Sequence, residues 1–234
     1  MLRRLLASLL ACASVSATSQ PVETYIPPRA QEHLPTLRAQ VLEVWPSFST
    51  PNYFAALIEH ESCISLKHSR CWAPTSRLKS DREEGAGLGQ LTRAFNKDGS
   101  IRFDALEDSR RLDPRGLNEL RWDTVYQRPD LQMRVIVLMT RQAYNRLEKL
   151  VPEHMPRLAF TDAAYNGGMG GVMNERRACA MKSGCNPNVW FGHVEHTCTK
   201  STKPLYGNRS ACDINRHHVH DVLLTRMPKY QGKV

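Results

Sequence analysis

Glu61 is the residue of this chain best placed to do acid/base chemistry. It follows Phe54, Leu57 and Ile58 at the three-to-four-residue spacing of a single helix face. A carboxyl set beside Leu57 and Ile58 is expected to favour its neutral form, and a neutral carboxyl can give its proton to a leaving oxygen. Most glutamates near helix ends are simply solvated, so Glu61 alone says little. Two further segments carry functional groups: Gly87-Leu88-Gly89-Gln90, inside a glycine-rich run, and Ala164-Tyr165-Asn166-Gly167-Gly168. Taken singly, Gly87 and Gly89 read as turn residues, and Tyr165 as a packed helix aromatic with Asn166 as its cap.

Taken together and in this order, Glu61-Ser62, Gly87-Leu88-Gly89-Gln90 and Ala164-Tyr165-Asn166-x-Gly168 resemble the signature of the soluble lytic transglycosylases of the lysozyme-like superfamily. That signature is Glu-Ser, then Gly-Leu-Met-Gln, then Ala-Tyr-Asn-x-Gly, and the likeness covers roughly residues 50–225. The cysteine-framed segment after Glu61 and an Asp-Gly turn at Asp98-Gly99 look most like members of phage or prophage origin. The resemblance implies a mainly α (α+β) fold, a lysozyme-like helical domain with a small β-hairpin. It also implies cleavage of the β-1,4 bond between N-acetylmuramic acid and N-acetylglucosamine, with closure of a 1,6-anhydro ring. Glu61 would be the single acid/base and Ser62 a support for its surroundings, while Gly87, Leu88, Gly89 and Gln90 would line the glycan cleft. Tyr165 and Asn166 would orient Glu61 and touch the sugar, and no metal or cofactor would be needed.

Three departures from the family pattern stand out. Gly89 occupies the place of the usual Met. The serine expected to contact substrate has no clear counterpart, Ser80 being nearest. His218-Val219 stands where a Tyr-Val pair is common, so His218 is expected to bond the glycan or Glu61, against the plain reading of a surface histidine between His217 and His220. Two other functions compete. A hydrolytic muramidase on the same fold needs a second carboxylate, for which Asp81, Glu83, Glu84 and Asp98 are candidates. A non-catalytic wall-binding module would keep the fold alone.

The elements that must position these residues follow from periodicity and punctuation. Leu34, Leu37, Val41 and Val44 predict an amphipathic helix that Pro35 confines to a start near itself and Pro46 ends. Thr50-Pro51 predicts the cap and first residue of a helix running to about Ser62. Residues 73–90 read as a loop, and residues 91–103 as a hairpin around Asp98-Gly99. Leu131 to Leu150 predicts a buried central helix. Short helices are expected over Phe160–Tyr165, over Val172 to about Lys182, and from a cap at Asp213 through Leu224.

The chain has 234 residues and a formal net charge of +9, enough hydrophobic residues for a core, and no apolar run of the roughly 18 residues that would span a bilayer. This argues against integral membrane transport and for an anionic partner. Arg3-Arg4, an apolar stretch and Val15-Ser16-Ala17 read as a signal peptide over residues 1–17, followed by an extension and helix over 18–49 and the transglycosylase-like domain over 50–234. The expected location is periplasmic or extracellular, with a lipid anchor through Cys12 as the lesser alternative. The expected partner is peptidoglycan, acted on by a monomer without nucleic acid. With Cys12 removed, Cys63, Cys71, Cys179, Cys185, Cys198 and Cys212 form an even set. Pairing neighbours in sequence is the simplest of the fifteen possible connectivities. A zinc reading of His193, His196 and Cys198 lacks a second matching pair.

Overall fold

The computed structural model describes residues 24–234, so the expected signal peptide and Cys12 lie outside the described residues. The fold is mainly α with a small antiparallel sheet. Helix α1 (Pro28–Val44) buries Leu34, Leu37, Val41 and Val44 against α4 (Pro129–Leu147), as their spacing requires. It starts seven residues before Pro35 rather than at it. Pro35 is exposed, and so is Gln31, whose carbonyl the proline leaves unpaired, so water can take that bond.

Helix α2 (Asn52–Ser62) is buried almost throughout, from Tyr53 to Glu59. Thr50 does not cap it: its hydroxyl pairs instead with His154 Nε2 at 2.9 Å, and Pro51 holds the capping position. Beyond α2, the segment expected to be a loop contributes β1 (Arg77–Lys79) and β2 (Glu83–Ala86). The expected hairpin is present as β3 (Leu91–Phe95) and β4 (Ile101–Asp104), and all four strands form one meander in the order β1-β2-β3-β4. The small hairpin of the sequence reading is therefore half of a four-stranded sheet. Glu84 explains the other half. It pairs in register with Arg93 and is bridged by Arg77 at 2.7 Å and Arg93 at 3.0 Å, so cross-strand charge replaces the β-branched pattern that usually marks a strand.

Helix α3 (Ala105–Leu112), not expected from periodicity, begins at Asp104, whose carboxylate accepts the Leu106 and Glu107 amides at 3.0 Å. Helix α5 (His154–Gly167) is more than twice the expected length and packs between α4 and α6 (Met169–Ala180). After a two-stranded ribbon, β5 (Pro204–Tyr206) and β6 (Arg209–Ser210), comes α7 (Ala211–His220). Its cap is Ser210, and Asp213, expected to be the cap, is the third helical residue closing a capping box with it. A π-turn over Asp221–Arg226 and a 3-10 turn over Met227–Tyr230 return the chain to α2.

Three disulfides join Cys63 to Cys71, Cys179 to Cys185 and Cys198 to Cys212, the sequence-local pairing. The last removes Cys198 as a thiolate ligand, and His193 Nδ1 is engaged by the Asn186 amide at 3.1 Å, so the zinc reading fails on chemistry. Among the described residues no helix is long and apolar enough to cross a membrane.

Candidate functional site

The glycine-rich segment is the loop of the β2–β3 hairpin. Gly87 to Gly89 form one 3-10 turn between Ala86 and Leu91, which are paired across the ladder. Gly87 has φ +68°, and a Cβ there would meet the Gln132 side chain at 2.1 Å, so both backbone and space require glycine. Gln132 of α4 is the clamp. It accepts the Leu88 amide at 2.8 Å and donates to the carbonyls of Val125 at 2.6 Å and Pro74 at 3.0 Å. Gln90 closes the turn in the left-handed region, φ 44°, with its amide donating to the Gly87 carbonyl at 3.0 Å. A non-glycine residue held there is strained, which is tolerated where the surroundings fix it.

This turn, the C-terminal end of α2, and α4 and α5 enclose a cleft of about 630 Å³. Glu61, Gly89, Gln90, Tyr165 and Asn166 all line it. Of the residues expected at the site, four do not. Gly87 and Leu88, in the same turn, are buried and face away from the cleft wall that Gly89 forms. Ser62 is buried as well: its hydroxyl donates to the Ile58 carbonyl at 2.6 Å and accepts the Trp72 amide at 3.1 Å, tying the end of α2 to the strand-side loop next to the Cys63–Cys71 bridge. His218 is 1% exposed, so it is no surface histidine; it stands behind the cleft wall and bonds Glu61.

The Glu61 surroundings are more polar than the apolar face its spacing implied. His218 Nε2 lies 2.8 Å from Glu61 Oε1, and His218 Nδ1 lies 2.7 Å from Asp162 Oδ2. The Tyr53 hydroxyl donates to the other Asp162 oxygen at 2.9 Å. Burial by itself would make His218 harder to protonate; Asp162 and then Glu61 reverse that and push its pKa up to about 10. Burial, with Asp162 second, holds the Tyr53 hydroxyl well above its ordinary pKa, and burial followed by Glu61 does the same for Tyr165, so both are hydrogen-bond donors at neutral pH. Tyr165 donates to the Gly89 carbonyl at 2.8 Å rather than to Glu61.

Four of these residues carry no signal in the sequence that pairs them with the site: Tyr53, Gln132, Asp162 and Asn215. Asn215 shares a face of α7 with His218, three residues on, and donates to the Ala163 carbonyl and to Asn166 Oδ1, each at 3.0 Å.

Of the proposed second carboxylates, Glu83 lines the cleft. Glu84 is held by Arg77 and Arg93, Asp98 accepts from Ser100 in the β3–β4 turn, and Asp81 is exposed outside the cleft. Asp108 of α3, not among the expected residues, lines the cleft with Arg102 and Arg146. Ser80 is exposed, and its hydroxyl accepts the Arg82 and Glu83 amides.

Fold and site thus define a disulfide-bonded, mainly α protein in whose cleft Glu61 is braced from behind by a buried His–Asp pair. No family model matches the chain, and neither a curated protein nor a solved structure is significantly similar to it.

Proposed function

We propose that the protein is a peptidoglycan lytic transglycosylase with Glu61 as its acid/base. The observation that carries this reading is the convergence of three sequence segments, Glu61, Gly89-Gln90 and Tyr165-Asn166, on the walls of one cleft. Glu61 would protonate the oxygen between N-acetylmuramic acid and N-acetylglucosamine, and the substrate's own N-acetyl group would stabilise the cation at C1. The Glu61 carboxylate would then take the proton of the muramyl 6-hydroxyl as that oxygen closes on C1, so one carboxylate serves both steps and no water is consumed. The glycine turn gives a sugar close access to backbone, and Asn166 and Gln90 present amides to it. The export expected from the N-terminal sequence, together with the three disulfides, supports a wall-facing enzyme.

The presence of Glu83 and Asp108 on the cleft wall favours a second reading, a hydrolytic muramidase in which one of them would activate water. Products separate the two. The full chain, produced in an oxidising compartment, is to be incubated with purified sacculi beside Glu61→Gln, and the muropeptide ends identified by mass spectrometry. Anhydromuramyl ends that vanish with the variant support the transglycosylase. Reducing ends would move the protein to the hydrolases, and undiminished cleavage by Glu61→Gln would overturn both readings.

A further inference from the structure

Glu61 is the exposed end of a row of three ionisable side chains from three different helices. Asp162 on α5 is fully buried, His218 on α7 is 1% exposed, and Glu61 on α2 alone lines the cleft. Both ring nitrogens of His218 are spoken for by carboxylates, at 2.7 and 2.8 Å. A histidine with a carboxylate on each side is a donor on each side. The remaining groups that face this ring are His60 on α2, in edge contact at 4.4 Å between centroids, and Tyr165 on α5, stacked at 6.5 Å. His60 is engaged by Asp221 at 2.6 Å, with Arg226 on the same carboxylate, and His217 lies 5.9 Å from His60. Tyr53 secures the far oxygen of Asp162.

We propose that Asp162, His218 and Glu61 act as one proton-holding unit, in which His218 keeps the working proton on the Nε2–Oε1 bond and fixes the Glu61 carboxyl against the cleft. The inference deepens the transglycosylase reading and rests on it for the chemistry. A single-carboxylate mechanism needs a group that is an acid in one step and a base in the next, without water to exchange protons in between. Here the Nε2–H bond breaks as a Glu61 O–H bond forms. That O–H then breaks as the glycosidic oxygen takes its proton and the C1–O bond opens. When the muramyl 6-oxygen bonds to C1, its proton passes to Glu61 and back to Nε2, restoring the starting state. Asp162 stays ionised throughout on Nδ1–H. Glu61 is the catalytic residue; His218 and Asp162, which do not line the cleft, are positioning residues.

Two readouts test this, one of them independent of catalysis. In the full oxidised chain labelled with 15N-histidine, the His218 ring, assigned by its loss in His218→Gln, is expected to stay doubly protonated well above the ordinary histidine pKa of 6.5. Asp162→Asn is expected to remove that signature. A His218 ring that is neutral at pH 7 in the parent overturns the proposal, whether or not the variants fold. With sacculi as substrate, His218→Gln and Asp162→Asn are expected to bring the alkaline limb of the kcat profile down by about one pH unit or more, with KM changed far less than kcat. A parent-like pH profile in folded His218→Gln overturns it as well. If Glu61→Gln still cleaves sacculi while the 15N signature is present, the functional reading fails and the proton-holding unit stands.

Discussion

The Tyr165 hydroxyl donates to the Gly89 carbonyl at 2.8 Å, and a Cβ built on Gly89 would lie 2.6 Å from that same oxygen and 2.6 Å from Ile136 Cγ1. Tyr165 therefore holds the cleft turn by a bond that only a residue without a side chain permits. Glycine is thus required at position 89 by the Tyr165 hydroxyl and Ile136 packed against it. Gly89→Ala forces Tyr165 or Ile136 aside and is expected to cost about 1–3 kcal/mol, while Tyr165→Phe, which leaves the carbonyl unpaired, costs about 1 kcal/mol. The double variant should be more stable than the sum of the two, because removing the hydroxyl removes half the clash. Urea unfolding of the four proteins checks it, and simple additivity would refute the shared contact.

Behind the site lies a second buried cluster. Glu59, fully buried on α2, receives Lys229 Nζ at 2.6 Å, Arg226 at 2.7 Å and the Tyr230 hydroxyl at 2.6 Å. This ties the last turns of the chain to the helix that carries Glu61. Lys229→Met leaves Glu59 with a deficit of charge where water cannot help, and about 3–5 kcal/mol of lost stability is expected. Glu59→Gln paired with Lys229→Met should recover part of the loss. Thermal unfolding of the single and double variants decides this, and a double variant less stable than Lys229→Met would contradict it.

The Cys63–Cys71 bridge closes a separation of eight residues directly after Glu61, beside the bond from Ser62 to the Trp72 amide. A loop of that length predicts a contribution of about 2.5 kcal/mol through restriction of the unfolded chain. Cys63→Ser with Cys71→Ser should lower the melting temperature accordingly and lower activity on sacculi more than the matching change at Cys179 and Cys185, neither of which adjoins a proposed site residue in the chain. Equal activity losses from the two removals would detach the bridge from the site.

What could be seen before the structure follows from how local each signal is. Helices α2 and α4 announce themselves because Phe54, Leu57 and Ile58, and Leu131, Val135 and Leu138, repeat at helical spacing within one segment. Glu61, Gln90, Tyr165 and Asn166 were legible for the same reason, each lying in a short motif. Strands β1 and β2 were not, since Arg77-Leu78-Lys79 and Glu83-Glu84-Gly85-Ala86 have no strand pattern and depend on ion pairs made across the sheet. The brace behind Glu61 was illegible as a unit: His218 stands 157 residues from Glu61 and 56 from Asp162. His218 drew notice by its place next to Val219, and its burial came only with α7 packed on α5.

If the proposed function holds, the formal net charge of +9, or +7 once residues 1–17 with Arg3 and Arg4 are removed, predicts that attraction to an anionic wall polymer contributes to binding. Exposed charges are screened over about 10 Å at 0.1 M salt and about 3 Å at 1 M. Retention of the Glu61→Gln variant on sacculi, measured by pelleting, is expected to fall steeply across that range. Retention that does not change with salt would assign binding to the cleft alone.

Stability should depend on pH through His218, with a definite sign. Its folded pKa is pushed up to about 10, above the ordinary value of 6.5, because the Asp162 and Glu61 carboxylates outweigh burial. The folded state therefore binds the proton more tightly than the unfolded state, and the contribution is complete below pH 6.5. It declines as pH rises from there and is gone above the folded pKa. The melting temperature of the parent should exceed that of His218→Gln most at pH 6, with the gap narrowing towards pH 10. Asp221 runs the other way. Although burial opposes it, the bonds from His60 and Arg226 hold its carboxyl well below the usual range, so its contribution is present at neutral pH and lost on acidification. A gap between parent and His218→Gln that widened with rising pH would mean that His218 is neutral in the folded protein, and Glu61 would then face an acceptor rather than a donor.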